Sequence, residues 1–188
     1  MTRRRFIIGA LITAGLVVCA TGSSLGQQPI VDCGNSVHGL RLCLATSNSY
    51  LMLALQNVSE HDLTLNLGVA MANGKIQLPD RIAIKFTDAQ GKTRIFKFAD
   101  KRYPGVAGRL DDYVVPLRAG STYTLVLKID QFWCQETNEF SIVLSGDNQL
   151  TAQYEGAAAT RDNGDLAGFK LMTFWLGNVE SNTLRFHR

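Results

Sequence analysis

The sequence predicts an all-β fold, a single antiparallel β-sandwich. Three observations carry this: about ten short runs in which apolar and polar residues alternate, turn residues at regular spacing between them, and no amphipathic stretch long enough for a three-turn helix. Hydrophobic residues at 46% and charged residues at 19% suit a folded domain rather than a disordered chain. No segment repeats itself at a fixed period, which argues against a propeller or solenoid.

The chain begins with a segment of different character. Arg3, Arg4 and Arg5 precede an apolar run from Phe6 to Ala20, and the small residues Thr21-Gly22-Ser23-Ser24 follow. This is the pattern of an export signal peptide, and the run is too short and too Gly-interrupted for a comfortable membrane span. Residues 1–26 are therefore expected to be a leader, 27–38 an entry segment and 39–188 the sandwich. Cleavage after Gly22 or after Gly26 both fit, so the mature chain is expected to begin near Ser23 or Gln27 and to be periplasmic or extracellular, with no membrane span. Thr2-Arg3-Arg4-Arg5-Phe6-Ile7 resembles a twin-arginine leader, and an ordinary export leader with three arginines is the other reading. Leu16-Val17-Val18-Cys19 resembles a lipoprotein box, although bulky Val18 stands where a small residue normally precedes a lipidated cysteine such as Cys19.

Removing the leader changes the charge balance. Three of the 19 basic residues lie in it, leaving 16 against 16 acids, so the rest of the chain is formally neutral. No nucleic-acid partner is therefore expected, because neutralising phosphates needs a surplus of Lys and Arg.

The strands follow in order. Leu40, Leu42 and Leu44 share one face of the first run, and Leu51, Leu53 and Leu55 share one face of the second, Tyr50–Gln56. Residues Asn57 to His61 make a turn, after which Leu63, Leu65 and Leu67 alternate with Thr64 and Asn66, both expected to point outward. Residues 68–79 are ambiguous: Val69-Ala70-Met71-Ala72 suits one helical turn, broken by Asn73-Gly74 and Pro79. Arg81 to Phe86 is a strand, Asp88-Ala89-Gln90-Gly91 a hairpin turn with Gly91 free to take positive φ, and Arg94 to Phe98 the return. From Asp112 to Cys134 the chain reads as strand, turn and strand, with Ala119-Gly120 as a tight reversal that lets the two runs pair and Phe132-Trp133 as an apolar anchor. Phe140–Leu144, Leu150–Tyr154, Phe169–Trp175 and Thr183–Phe186 complete the set, and Trp133, Tyr154 and Trp175 are expected in the core.

Several stretches carry a resemblance. Leu53-Ala54-Leu55-Gln56-Asn57-Val58-Ser59, Ile84-Lys85-Phe86-Thr87-Asp88 with Gly91, Pro116-Leu117-Arg118-Ala119-Gly120, and at the end Leu150 to Glu155 followed by Trp175 to Asn182 resemble immunoglobulin-like sandwiches of secreted bacterial proteins. That resemblance implies an immunoglobulin-like topology; its motifs are structural, and it brings no catalytic motif. The pattern is also similar to proteinase-inhibitor modules of the intracellular bacterial type, from which no residue motif transfers to this chain.

Chemistry-bearing residues are few. His38, His61 and His187 have no helical spacing and no cysteine companion, and His61 with its chain neighbours Glu60 and Asp62 does not make a metal-ligand spacing, so no metal, cofactor or catalytic set is expected. No Gly-x-Ser-x-Gly turn lies beyond the leader, where Gly22-Ser23-Ser24-Leu25-Gly26 has that form. Asp111-Asp112 and the Asp162-Asn163-Gly164-Asp165 turn lack the alternating ligands of a calcium loop. Asn57-Val58-Ser59 has the form of a glycosylation sequon and reads as a plain turn. Outside the leader, Cys33 and Cys43 are expected to pair in an oxidising compartment, with Cys134 buried as a small apolar side chain or paired between chains.

The expected function is non-catalytic binding of a protein or cell-envelope ligand, with inhibition of an extracytoplasmic hydrolase as the alternative and an enzyme without a recognisable motif as the third. Recognition is expected on a long loop, Asp100 to Asp111, through Lys101, Arg102, Tyr103 and Arg109. The loop Glu155 to Gly168, with Arg161 and Asp162, offers less.

Overall fold

The computed structural model describes residues 32–47, 49–71, 74–98, 110–134, 147–159 and 172–186. The leader, Cys19, the run Phe140–Leu144 and the loop residues Lys101, Arg102, Tyr103 and Arg109 lie outside them. The described chain is all-β. Its strands are β1 (Leu40–Ser47), β2 (Tyr50–Asn57), β3 (Leu63–Met71), β4 (Ile76–Leu78), β5 (Ile82–Thr87), β6 (Thr93–Phe98), β7 (Leu110–Leu117), β8 (Thr122–Lys128), β9 (Phe132–Trp133), β10 (Asn148–Gly156) and β11 (Gly177–Phe186). They form three sheets, ordered β1-β2-β8, β11-β10-β5-β6-β9 and β4-β3-β7, and every pairing is antiparallel.

The alternating rows do what their period dictates. Leu40, Leu42 and Leu44 face inward with Leu51, Leu53 and Leu55, while Ile82, Ile84 and Phe86 oppose them from the five-stranded sheet in one shared core. Aromatic pairs fill its wider parts: Phe86 meets Phe96 edge-on at 6.3 Å, Phe98 meets Phe132 at 5.5 Å, and Tyr154 stacks on Trp175 at 5.5 Å. Trp133 does not join them. It is 37% exposed because Phe132, its neighbour on a two-residue strand, takes the inward side.

The strand-turn-strand unit from Asp112 to Cys134 folds differently from the expected hairpin. β7 pairs with β3 and β8 pairs with β2, so the two arms lie in different sheets. Their inward rows are Tyr113, Val115 and Leu117 on one side and Leu125 and Leu127 on the other. The turn Arg118–Ser121, closed by Ser121 N–H donating to Arg118 O at 3.0 Å, is thus an arch between sheets. Asn57 holds it in place: Gly120 N–H donates to Asn57 O at 3.0 Å, and the Asn57 amide donates to Leu117 O at 3.0 Å and to His61 O at 2.7 Å.

Three further expectations are corrected. Asn66 is fully buried rather than outward, because the ladder between β3 and β7 shifts register between Asn66 and Val69 and this bulge turns the amide inside. There Asn66 donates to Asp112 Oδ1 at 2.8 Å and to Ala158 O at 3.0 Å, and its backbone carbonyl accepts the Tyr154 hydroxyl at 3.0 Å. Val69-Ala70-Met71 continue β3 instead of forming a helical turn, since Val69, Ala70 and Met71 pair with Leu78, Gln77 and Ile76 on β4. Residues Met172–Leu176 are not strand: Phe174 and Trp175 are buried, yet the segment's backbone bond to a strand is Trp175 N–H to Thr64 O at 2.8 Å.

An exposed sheet edge invites wrong pairing, and β1 lies at one. Its outward groups are taken. Gly34 N–H donates to Leu42 O at 2.9 Å, and the Asn182 side chain of β11 accepts from Leu44 N–H at 2.7 Å and donates to Leu44 O at 3.0 Å. Asn182 reaches across because β11 bulges opposite Ala152, whose N–H is met by the Ser181 hydroxyl at 2.8 Å. The Cys33–Cys43 disulfide pins the entry segment beside this junction, as expected from sequence. The other described cysteine, Cys134, is buried and unbridged. With a sequence separation of 10 between its cysteines, the disulfide is worth about 3 kcal/mol in chain entropy. Urea unfolding of the Cys33→Ser/Cys43→Ser double variant should show that loss, and an unchanged midpoint would remove the entry segment from the folded unit.

Two buried tyrosines set a pH limit. Burial pushes the Tyr154 hydroxyl well above the ordinary tyrosine value, partly offset by Arg81 and by the bond to Asn66. Burial, then the Tyr123 hydroxyl at 2.5 Å, does the same to Tyr113. The folded state therefore holds these protons more tightly than the unfolded chain. Their contribution is complete below the unfolded value of about 10 and is lost as pH rises toward the folded one. The urea midpoint is expected to fall as pH rises from about 10 to about 12, less steeply in Tyr154→Phe; an equal slope in both proteins contradicts this.

Candidate functional site

The five-stranded sheet turns one face inward and the other to solvent, and the solvent face carries a hollow. A groove of about 380 Å³ lies there, lined by Arg81, Ala83, Lys97, Gln153, Glu155 and Glu180 together with Asp80, Asn178 and Val179. Cavities of this size fall in the range that holds small ligands.

Register explains the hollow. Ala83 on β5 sits between Lys97 on β6 and Gln153 on β10, and Gln153 sits beside Glu180 on β11. A small residue between longer ones leaves a depression whose floor is Ala83. One step along, Arg81 lies beside Glu155, whose N–H donates to Arg81 O at 3.2 Å. Ile82 and Ile84 point into the core, so Arg81 and Ala83 must face the groove by strand alternation.

Arg81 is positioned by a crossing from one sheet to another. Pro79 is buried, Asp80 N–H donates to Leu78 O at 2.9 Å, Ile82 N–H to Pro79 O at 3.0 Å, and Arg81 N–H to Leu67 O at 3.3 Å. This crossing packs on the β3 bulge at Gly68, so the position of Arg81 depends on that bulge.

Both signs of charge line the groove. Lys97 stands on β6, Asp80 and Arg81 just before β5, and Glu155 and Glu180 on β10 and β11. Glu180 accepts a hydrogen bond from the Gln153 amide. No salt bridge among the described residues engages Arg81, Lys97 or Glu155, and Arg81 Nε is buried with no hydrogen-bond partner. An uncompensated guanidinium nitrogen has a cost that an acceptor nearby would reduce. The groove thus presents the donors of Arg81 and Lys97 together with the carboxylates of Asp80, Glu155 and Glu180.

The other chemistry-bearing residues do not converge. His38 Nδ1 lies 3.2 Å from Leu176 O, His61 is exposed in its turn, and His187 lies outside the described residues. Asp112 is buried against Asn66. Among the described residues no three His, Cys, Asp or Glu side chains gather as a metal site. None of the groove residues was singled out as a site from the sequence, although Ala83, Lys97 and Gln153 are each the outward partner in an alternating run. Comparison with known proteins finds no matching family model, no matching curated protein and no matching solved structure.

Proposed function

We propose that this chain is an exported, single-domain, immunoglobulin-like β-sandwich that binds a polar ligand without catalysis, and that the groove over Ala83 is its binding site. The export reading rests on the basic and apolar leader of residues 1–26, and the Cys33–Cys43 disulfide agrees with an oxidising destination. The immunoglobulin-like reading is supported by the antiparallel sheets and by the arch that carries the chain from β7 in one sheet to β8 in another. The single observation that carries the binding role is the hollow on the five-stranded sheet, lined by charges of both signs, with no salt bridge among the described residues engaging Arg81, Lys97 or Glu155.

Filling the hollow tests this. Ala83→Phe puts a strand-favouring side chain where the void is, on the solvent face. Amide spectra of the wild-type protein titrated with amino acids, short peptides, sugars and nucleotides should show saturable shifts clustered on β5, β6, β10 and β11, and these should vanish in Ala83→Phe. Shifts that map elsewhere, or that survive the substitution, overturn the assignment.

A further inference from the structure

From the row of side chains that strand register sets across the groove we infer that its ligand is an uncharged, extended oligosaccharide, lying over Ala83 with one end on the indole of Trp133. This rests on the reading of the groove as the binding site and goes further by naming the ligand's chemistry and a residue beyond the groove's own lining.

Register builds the row. Trp133 on β9 is the partner of Lys97 on β6, Lys97 of Ala83 on β5, Ala83 of Gln153 on β10, and Gln153 of Glu180 on β11. Directly paired residues of antiparallel strands carry their side chains on one face, so these stand in a line on the solvent face. The line crosses the sheet in steps of about 4.8 Å and is about 19 Å long. It begins at an indole that is 37% exposed, dips at the small side chain of Ala83 and ends on polar groups.

Three features select the ligand. First, the charges are mixed: Arg81 lies between Asp80, its chain neighbour, and Glu155, its neighbour across the strands. An ionic ligand meets its own sign close by, whereas a hydroxyl both donates and accepts and so bonds to guanidinium, ammonium, carboxylate and amide alike. Second, β5 and β10 are each paired on both sides, so the groove offers side chains and no open strand edge. A peptide that extends a sheet needs such an edge for its main-chain bonds. Third, the exposed indole is an apolar plate with a polar tip. The C–H face of a pyranose ring packs on such a plate while its hydroxyls keep their bonds in the groove. In an extended β-1,4-linked chain each ring advances by roughly one strand spacing, so about four rings cover the row.

The test titrates cellotetraose and N-acetylated chitotetraose, two uncharged β-1,4-linked chains that differ in one ring substituent, alongside glucose and the charged tetragalacturonate. Amide signals of Lys97, Ala83 and Gln153 and the indole N–H signal of Trp133 are followed in the wild-type protein. One or both uncharged chains are expected to bind saturably and to move all four signals, with glucose and tetragalacturonate at least about tenfold weaker. Trp133→Ala should weaken the better chain about tenfold and Trp133→Phe much less, since phenylalanine keeps an apolar plate. Ala83→Phe should abolish binding. Thermal melting establishes that the variants fold, and the wild-type indole signal carries the test without any of them. Binding of neither uncharged chain, glucose or tetragalacturonate bound as tightly, or an unmoved Trp133 indole signal overturns the oligosaccharide inference. In that event, a peptide or nucleotide whose shifts vanish in Ala83→Phe leaves the groove itself standing as the site; oligosaccharide shifts that survive Ala83→Phe overturn both.

Discussion

Gly68→Ala is expected to destabilise the fold by about 3 kcal/mol or more, or to prevent folding. Two independent costs meet at this residue. Its φ of 140° is a conformation open to glycine and strained for alanine. A Cβ there would stand 2.3 Å from Asp80 Oδ1, 2.5 Å from Leu78 O and 2.7 Å from Asp80 N, and backbone atoms have little freedom to withdraw. Gly91 separates the two costs. It has a φ of 78° in the hairpin turn and open space where a Cβ would stand, so Gly91→Ala should lose only the backbone part, about 1 kcal/mol. Urea unfolding of the two variants measures the difference, and near-equal losses would mean that the Gly68 contact with the Pro79–Arg81 crossing carries no weight. Any folded Gly68→Ala protein should also show displaced amide signals at Arg81 and Ala83.

Asn57→Ala is expected to cost about 2–4 kcal/mol, because one side chain serves four bonds. Its amide donates to His61 O at 2.7 Å and Leu117 O at 3.0 Å, and its oxygen accepts from Ser59 N–H at 3.0 Å and the Ser59 hydroxyl at 2.7 Å. Alanine leaves partners of this kind unmet beneath the arch that joins two sheets. Asn57→Asp should be worse at neutral pH, since a carboxylate oxygen would face two carbonyl oxygens where a donor stood. Urea midpoints rank the three proteins; an aspartate variant as stable as wild type would show that the amide's orientation does not organise the arch.

Local pattern carried most of the strands into the sequence and few of the relations between them. The leucine rows of β1, β2 and β3 were legible because one residue in two must face a core. The Asp88–Gly91 turn was legible because Asp88 Oδ1 receives Gln90 N–H at 3.1 Å and Lys92 N–H at 2.8 Å, a local device of aspartate in turns. The arch at Arg118–Ser121 was not, because the same residues close a hairpin or cross between sheets, and the choice is made by Asn57, which lies 60 residues from its partner Leu117. The inward turn of Asn66 was equally hidden, since its reason is a bulge and the distant groups Asp112, Ala158 and Tyr154.

The groove shows the same division. That Ala83, Lys97 and Gln153 point outward follows from alternation in their own runs. That they stand in one row follows from β5 pairing with both β6 and β10, and the second pairing joins segments far apart in sequence. Charge neutrality outside the leader concealed it further, because a sum over the chain does not say where charges gather.

Whether the groove or the loop recognises ligand is decided by titrating amino acids, short peptides, sugars and nucleotides, followed by amide shifts, into the wild-type protein, into Ala83→Phe and into Arg102→Ala/Tyr103→Ala, which alters the loop favoured by sequence. Ala83→Phe is expected to abolish the shifts on β5, β6, β10 and β11 while the loop variant retains them. Loss of binding in the loop variant with binding intact in Ala83→Phe would place recognition on the loop and refute the groove as the site.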